Sequence, residues 1–124
     1  MATSPSETPS VQVFGTDDSQ ATRAAVRFFR ERRLVVHLVD LRRKPLAPGE
    51  LRRFVDRLGA RALADETGRA WRDAGLAYLR IDDAELAGRL LADQRLLRLP
   101  LVRVGSEVAA GRDEARWREM LARA

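Results

Sequence analysis

The chain contains no cysteine among its 124 residues. That excludes a disulfide framework, a thiolate nucleophile and a cysteine-based metal site. Histidine is nearly as scarce: His37 stands alone, inside an apolar segment, with no second ligand or base at a useful spacing. Aromatic residues make up only 6% of the chain, too few for a base-stacking platform. No apolar run approaches the roughly 20 residues that a membrane-spanning helix needs. The segment Met1–Ser10 lacks both a basic start and an apolar stretch, so it does not read as a signal peptide. A cytoplasmic location is the expectation. Lysine is also almost missing. All but one of the 23 basic residues are arginine, the exception being Lys44.

The formal charge of +5 rests on those arginines. Most fall on expected helix faces among Asp and Glu, the pattern of a salt-bridged surface and not of a nucleic-acid stripe. Arginine still favours carboxylate and phosphate partners, so an anion-binding or acidic-partner surface stays open. The length suits one domain, and an apolar share of 45% suits an ordinary core.

Residues 1–10, rich in Ser, Thr and Pro, are expected to be a disordered tail, with a single domain over 11–124. Val11, Val13 and Phe14 form a short β run ending at Gly15. Ala24, Ala25, Phe28 and Phe29 recur at helical spacing, with Arg23, Arg27 and Arg30 opposite, up to Glu31-Arg32-Arg33. Residues Leu34–Leu41 are almost wholly apolar and read as a strand buried on both faces. Pro48 suits the first turn of a helix whose apolar face is Leu51, Phe54, Val55 and Leu58, capped by Gly59. One or two short helices follow around Ala62-Leu63 and Ala70-Trp71. Asp82 and Glu85 resemble a capping box ahead of Leu86, Leu90 and Leu91. Pro100 precedes a strand over 101–104, Gly105-Ser106 signals a hairpin, and 107–110 is the returning strand. Asp113 can cap a last helix that turns Trp117, Met120 and Leu121 inward. The order β-α-β, helical middle, β-β-α implies an α/β fold with a four-stranded mixed sheet, flanking helices and a central helical insertion.

The corner Phe14-Gly15-Thr16-Asp17-Asp18-Ser19 resembles the aromatic-Gly-x-x-x-Cys loop of the thioredoxin-like arsenate reductase family. That family includes glutaredoxin-coupled arsenate reductases and Spx-type transcription regulators. Further matches are Arg23, four residues past Ser19, then Lys44-Pro45-Leu46 with Glu50-Leu51, and Gly68-Arg69-Ala70-Trp71-Arg72. The segment Leu96–Val102, with Gly105 and Gly111-Arg112, resembles the family's proline-led strand, hairpin and final glycine turn. The resemblance implies a thioredoxin-like fold and a cis Pro100 beside the corner. It places Ser19 at the nucleophile position and Thr22 at that of a second cysteine. Of the three arginines that hold the oxyanion in the enzymes, it leaves Arg23 in place and Arg98 displaced by one residue. The third falls on Thr67 or Asp65. Thiol-dependent arsenate reduction is therefore excluded.

Ser19 is better placed as an N-cap than as a nucleophile, since no base stands near it in sequence. Arg23 is expected to be a solvated helix residue pairing with Asp17 or Asp18, and those acids oppose anion binding. Trp71 and Trp117 read as core, and the Asp82-Asp83 pair reads as helix capping and not as a metal site. Neither a cofactor nor a metal is expected. Two functions remain. One is a non-catalytic binding or regulatory module, using Arg27, Arg30, Arg32, Arg33, Arg42 and Arg43 against an acidic protein surface. By the resemblance to the Spx-type regulators, that surface belongs to RNA polymerase. The other is a ligand site at Ser19, Arg23, Arg98 and Pro100 for a small oxyanion or a glutathione-like molecule.

Overall fold

The computed structural model describes residues 9–123. Most of the expected N-terminal tail, residues 1–8, lies outside the described residues. Strand β1 (Val11–Gly15) leads into helix α1 (Gln20–Glu31) and strand β2 (Val36–Asp40). Helices α2 (Pro48–Leu58), α3 (Ala60–Leu63), α4 (Arg69–Asp73) and α5 (Asp83–Ala92) form the middle. Strands β3 (Leu101–Val104) and β4 (Glu107–Ala110) form the hairpin ahead of α6 (Glu114–Arg123). The sheet order is β2-β1-β3-β4, with β1 parallel to β2 and antiparallel to β3.

Alternation along β1 sends its side chains to two separate cores. Val11 and Val13 join Ala25, Phe28 and Phe29 of α1 and Trp117 and Met120 of α6. Phe14 joins Leu51 and Phe54 of α2, Leu63, Leu86 and Leu90 on the opposite face. Phe28, Phe29 and Trp117 pack with ring centroids 5.0–5.8 Å apart, and Phe14 meets Phe54 edge-on at 5.9 Å. The middle helices thus form one cover layer of the sheet, while α1 and α6 form the other. Among the described residues, no helix is long and apolar enough to cross a membrane.

The segment 34–41 departs from its sequence reading. It is not a strand buried on both faces: β2 lies at the sheet edge, with His37 and Leu38 exposed and Val35 61% exposed. The apolar run satisfies only one neighbour, β1, and α1 does not reach over Leu38. The capping box at Asp82 is half made. The Asp82 carboxylate accepts from the Glu85 amide at 2.8 Å, but the Glu85 carboxylate pairs with Arg89 instead. Asp83 accepts from the Ala60 amide at 3.1 Å and so caps α3 from a distance.

Two local constraints set where α1 begins and ends. A Cβ at Gly15 would overlap the side chain of Thr22, so glycine lets the first turn of α1 close onto β1. At the other end Arg33 adopts φ 62°, while its amide bonds to the Arg30 carbonyl at 2.9 Å and the Leu34 amide to the Phe29 carbonyl at 3.2 Å. This is a Schellman termination with arginine where glycine is preferred. Arg33→Gly is expected to raise unfolding stability by about 1 kcal/mol, through removal of left-handed strain. Gly15→Ala is expected to lower it by about 1–3 kcal/mol, with part of that loss recovered in a Gly15→Ala/Thr22→Ala double variant. Urea unfolding of the variants measures both.

Candidate functional site

Where β1 ends, the chain turns through Thr16-Asp17-Asp18, and the Ser19 amide donates to the Thr16 carbonyl at 3.2 Å. Ser19 is the N-cap of α1. Its Oγ accepts from the Thr22 amide at 3.1 Å, and its carbonyl accepts from the Arg23 amide at 3.0 Å. The hydroxyl at the position of interest is therefore engaged in holding the helix terminus. Thr22 is buried against Gly15, and its own hydroxyl finds no partner among the described residues.

Charge around this corner is arranged differently from the expectation. Arg23 does not pair with a carboxylate: its guanidinium donates to the Asp17 carbonyl at 2.6 Å. Both carboxylates reach instead to Arg42, in the turn after β2, Asp17 at 3.5 Å and Asp18 closer. The Thr16 hydroxyl also donates to Asp18 at 2.7 Å. That hydrogen bond, helped by Arg42, holds the Asp18 carboxyl below its ordinary value despite some desolvation.

A groove of about 490 Å³ opens beside the corner, lined among others by Thr16, Asp18, Arg42, Pro45, Asp93 and Arg95. Its second cation is also held. Arg95 grips Asp93 through two hydrogen bonds of 2.9 and 2.8 Å. The Arg95 guanidinium is the main cause that lowers the Asp93 carboxyl, and Asp93 in turn raises Arg95. Gln94 ties the two walls together, accepting from the Leu46 amide at 2.7 Å and donating to the Leu46 carbonyl at 2.9 Å. Sequence reading missed Gln94 and the Arg42 pairing because their partners lie 24 to 48 residues away. Only the Asp93-x-Arg95 spacing offered a local signal.

The remaining site candidates are not gathered here. The Leu99–Pro100 peptide is cis, and Pro100 is buried at the start of β3. Leu99 lines the groove, but Arg98 does not: it is exposed, with its stem laid against Gly111. Arg23 lines a separate groove between α1 and β2. Ser19, Arg23 and Arg98 thus do not converge on one cavity. Among the described residues no cluster of His, Asp and Glu suits a metal ion.

A parallel β1-β2 pair, an antiparallel hairpin, helices on both faces and a cis-proline ahead of β3 define a thioredoxin-like α/β protein. The sequence profile of the ArsC family matches residues 14–120. The chain belongs to that family. No curated protein sequence matches it significantly. Among solved structures it is similar to an arsenate reductase from Vibrio cholerae, with a TM-score of 0.78 and 16% identity over 90% of this chain and 98% of the other. It is also similar to an ArsC family related protein from Bacteroides fragilis, with a TM-score of 0.80 and 14% identity over 89% and 96%. At such identities the structures establish the shared fold alone.

Ser19→Ala is expected to destabilise the protein by about 1 kcal/mol through the lost cap. Thr22→Val, which removes an unpartnered buried hydroxyl at similar volume, is expected to be neutral to stabilising in the same denaturation series. In Thr16→Val the Asp18 carboxyl is expected to titrate closer to the ordinary carboxylate range, as read by NMR. The native shift stabilises the fold above the unfolded-state value and is lost as pH falls through the lower folded-state value.

Proposed function

We propose that this protein is a binding or regulatory module of its family that works without thiol redox chemistry. The observation that carries this reading is the use already made of the site's polar groups. Ser19 Oγ caps α1, and both cations of the neighbouring groove are matched by carboxylates. An enzyme acting on an anion needs unmatched positive charge where the anion sits, and this groove supplies none.

Unmatched charge lies elsewhere. The basic surface expected from sequence is divided in the fold. Arg42 pairs with Asp17 and Asp18, Arg43 lies 3.9 Å from Asp40, and Arg32 stacks on the Phe28 ring at 3.6 Å. No ion pair among the described residues engages Arg27, Arg30 or Arg33. These three favour a protein partner with an acidic surface. Resemblance to the Spx-type regulators makes RNA polymerase the first partner to test, in the cytoplasm. The alternative reading, an oxyanion or glutathione-like ligand at the Ser19 loop, has against it that Ser19 Oγ already caps α1 and that Arg23 and Arg98 do not share a cavity with it.

Two measurements test the proposal. Affinity capture from native lysate at low salt is expected to retain a partner that is released as salt rises and is lost in an Arg27→Glu/Arg30→Glu variant. Arsenate, phosphate, sulfate and glutathione at millimolar concentration are expected to leave Tm unchanged. A ligand at a hundred times its Kd would add about 2.7 kcal/mol, a shift easily seen. Ser19→Cys is expected to show no arsenate reductase activity with glutathione and glutaredoxin, since a thiol alone does not restore oxyanion-holding charge. Turnover by that variant, or a clear Tm shift, would overturn the reading.

A further inference from the structure

We propose that the open edge of β2 is a docking site for an extended acidic segment of a partner protein, added as a fifth strand. This deepens the binding-module reading and rests on it. The argument begins with the backbone. In the parallel β1-β2 ladder, Val11 donates to the Val35 carbonyl at 3.1 Å and the Leu41 amide donates to the Gly15 carbonyl at 2.9 Å. Alternation between these two bonds turns the odd-numbered residues of the segment toward β1. The amides of Val36, Leu38 and Asp40 and the carbonyls of Val36 and Leu38 therefore face outward. The Asp40 carbonyl is taken by the amides of Arg43 and Lys44. None of the outward groups of Val36 and Leu38 has a hydrogen-bond partner among the described residues.

An edge with unpaired groups is ordinarily blunted by proline, lysine, a bulge or cover. Strand β2 carries no proline or lysine, and its five residues pair with β1 in unbroken register. Instead Leu38 is 43% exposed and Val35 more so. Grooves flank the strand on both faces. On the α1 face, a cavity of about 550 Å³ is bordered by Leu38 and Val26, with Arg23, Arg27 and Arg30 along it. On the opposite face, one of about 460 Å³ is bordered by His37, Val39, Lys44 and Leu46. A strand laid on the edge sends alternate side chains into the two grooves.

The charges specify the occupant. Arg23, Arg27 and Arg30 stand at i, i+4 and i+7, a single helical stripe. Steps of about 6 and 4.5 Å along a helix fall short of the roughly 6.7 Å between alternate residues of a strand by about 1 to 2 Å, a difference that long arginine side chains span. Acidic side chains at every second position can therefore meet successive arginines. Asp17 and Glu31 border the same groove; Asp17 is matched by Arg42, and Glu31, one turn past Arg27, is a single carboxylate against the three arginines. A second copy of this chain is disfavoured as the occupant. Pairing β2 with its own copy continues the sheet with both α1 helices on one face, and sets the two arginine stripes against each other.

The test uses the full chain and a short fluorescein-labelled peptide alternating glutamate and valine, with a lysine–valine peptide as control. Anisotropy is expected to report binding of the acidic peptide only, weakened at least about tenfold by Arg27→Glu/Arg30→Glu. Hydrogen exchange at the Leu38 amide is expected to slow on binding. Leu38→Pro removes that outward amide without touching the β1 ladder, and should abolish binding while the folded state persists by circular dichroism. Absence of peptide binding, equal binding of the lysine peptide, or binding that leaves the Leu38 amide exchanging freely would each overturn the docking mode. So would a dimer in sedimentation that Leu38→Pro dissolves. A lysate partner lost with Arg27→Glu/Arg30→Glu but retained by Leu38→Pro would leave the binding-module reading standing and remove this one.

Discussion

The domain depends on burying β1 from both sides at once. Among the described residues, this five-residue strand is the only one hydrogen-bonded in parallel to one neighbour and antiparallel to the other. Val11 and Val13 are wholly buried on one face and Phe14 nearly so on the other. Each face nucleates its own apolar cluster, so the two helical layers are joined through one strand. The corner from Gly15 to Thr22 continues that strand directly. It is held by close packing of Thr22 on a residue without a Cβ.

From that constraint follows how the corner uses its polar groups. A helix terminus pressed against a buried strand needs its first amides satisfied locally, and Ser19 does so. The polar residues around it then pair with one another. Asp17 and Asp18 balance Arg42, while Asp93 balances Arg95. The cations of this groove are thereby neutralised. The charge that the fold leaves unmatched runs from Arg23 along α1, beside the open side of β2. There a basic stripe, an exposed leucine and unpaired backbone groups run side by side.

The sequence was most legible where its signals were local. Helix starts at Ser19, Pro48, Asp82 and Asp113, the Gly105-Ser106 hairpin and the inward Trp117 all stand where spacing and capping chemistry place them. It was least legible for segment 34–41. An apolar run shows that a strand is favoured, yet cannot show how many neighbours the strand will have. The sequence also misdirected the charges of the corner. Arg23 and the aspartates are close along the chain, but the loop turns their carboxylates toward Arg42 and leaves Arg23 a backbone carbonyl.

Sequence alone determined that the protein cannot use a thiol, since composition needs no geometry. It also determined the order of strands and helices, because periodicity and caps act over a few residues. Only the tertiary structure decided which arginines are matched and which strand edge stays open. Both depend on contacts between residues tens of positions apart, as with Arg42 and Asp18 or Gln94 and Leu46. Such pairings arise from how β1 and its two layers fold together, and no local pattern encodes them.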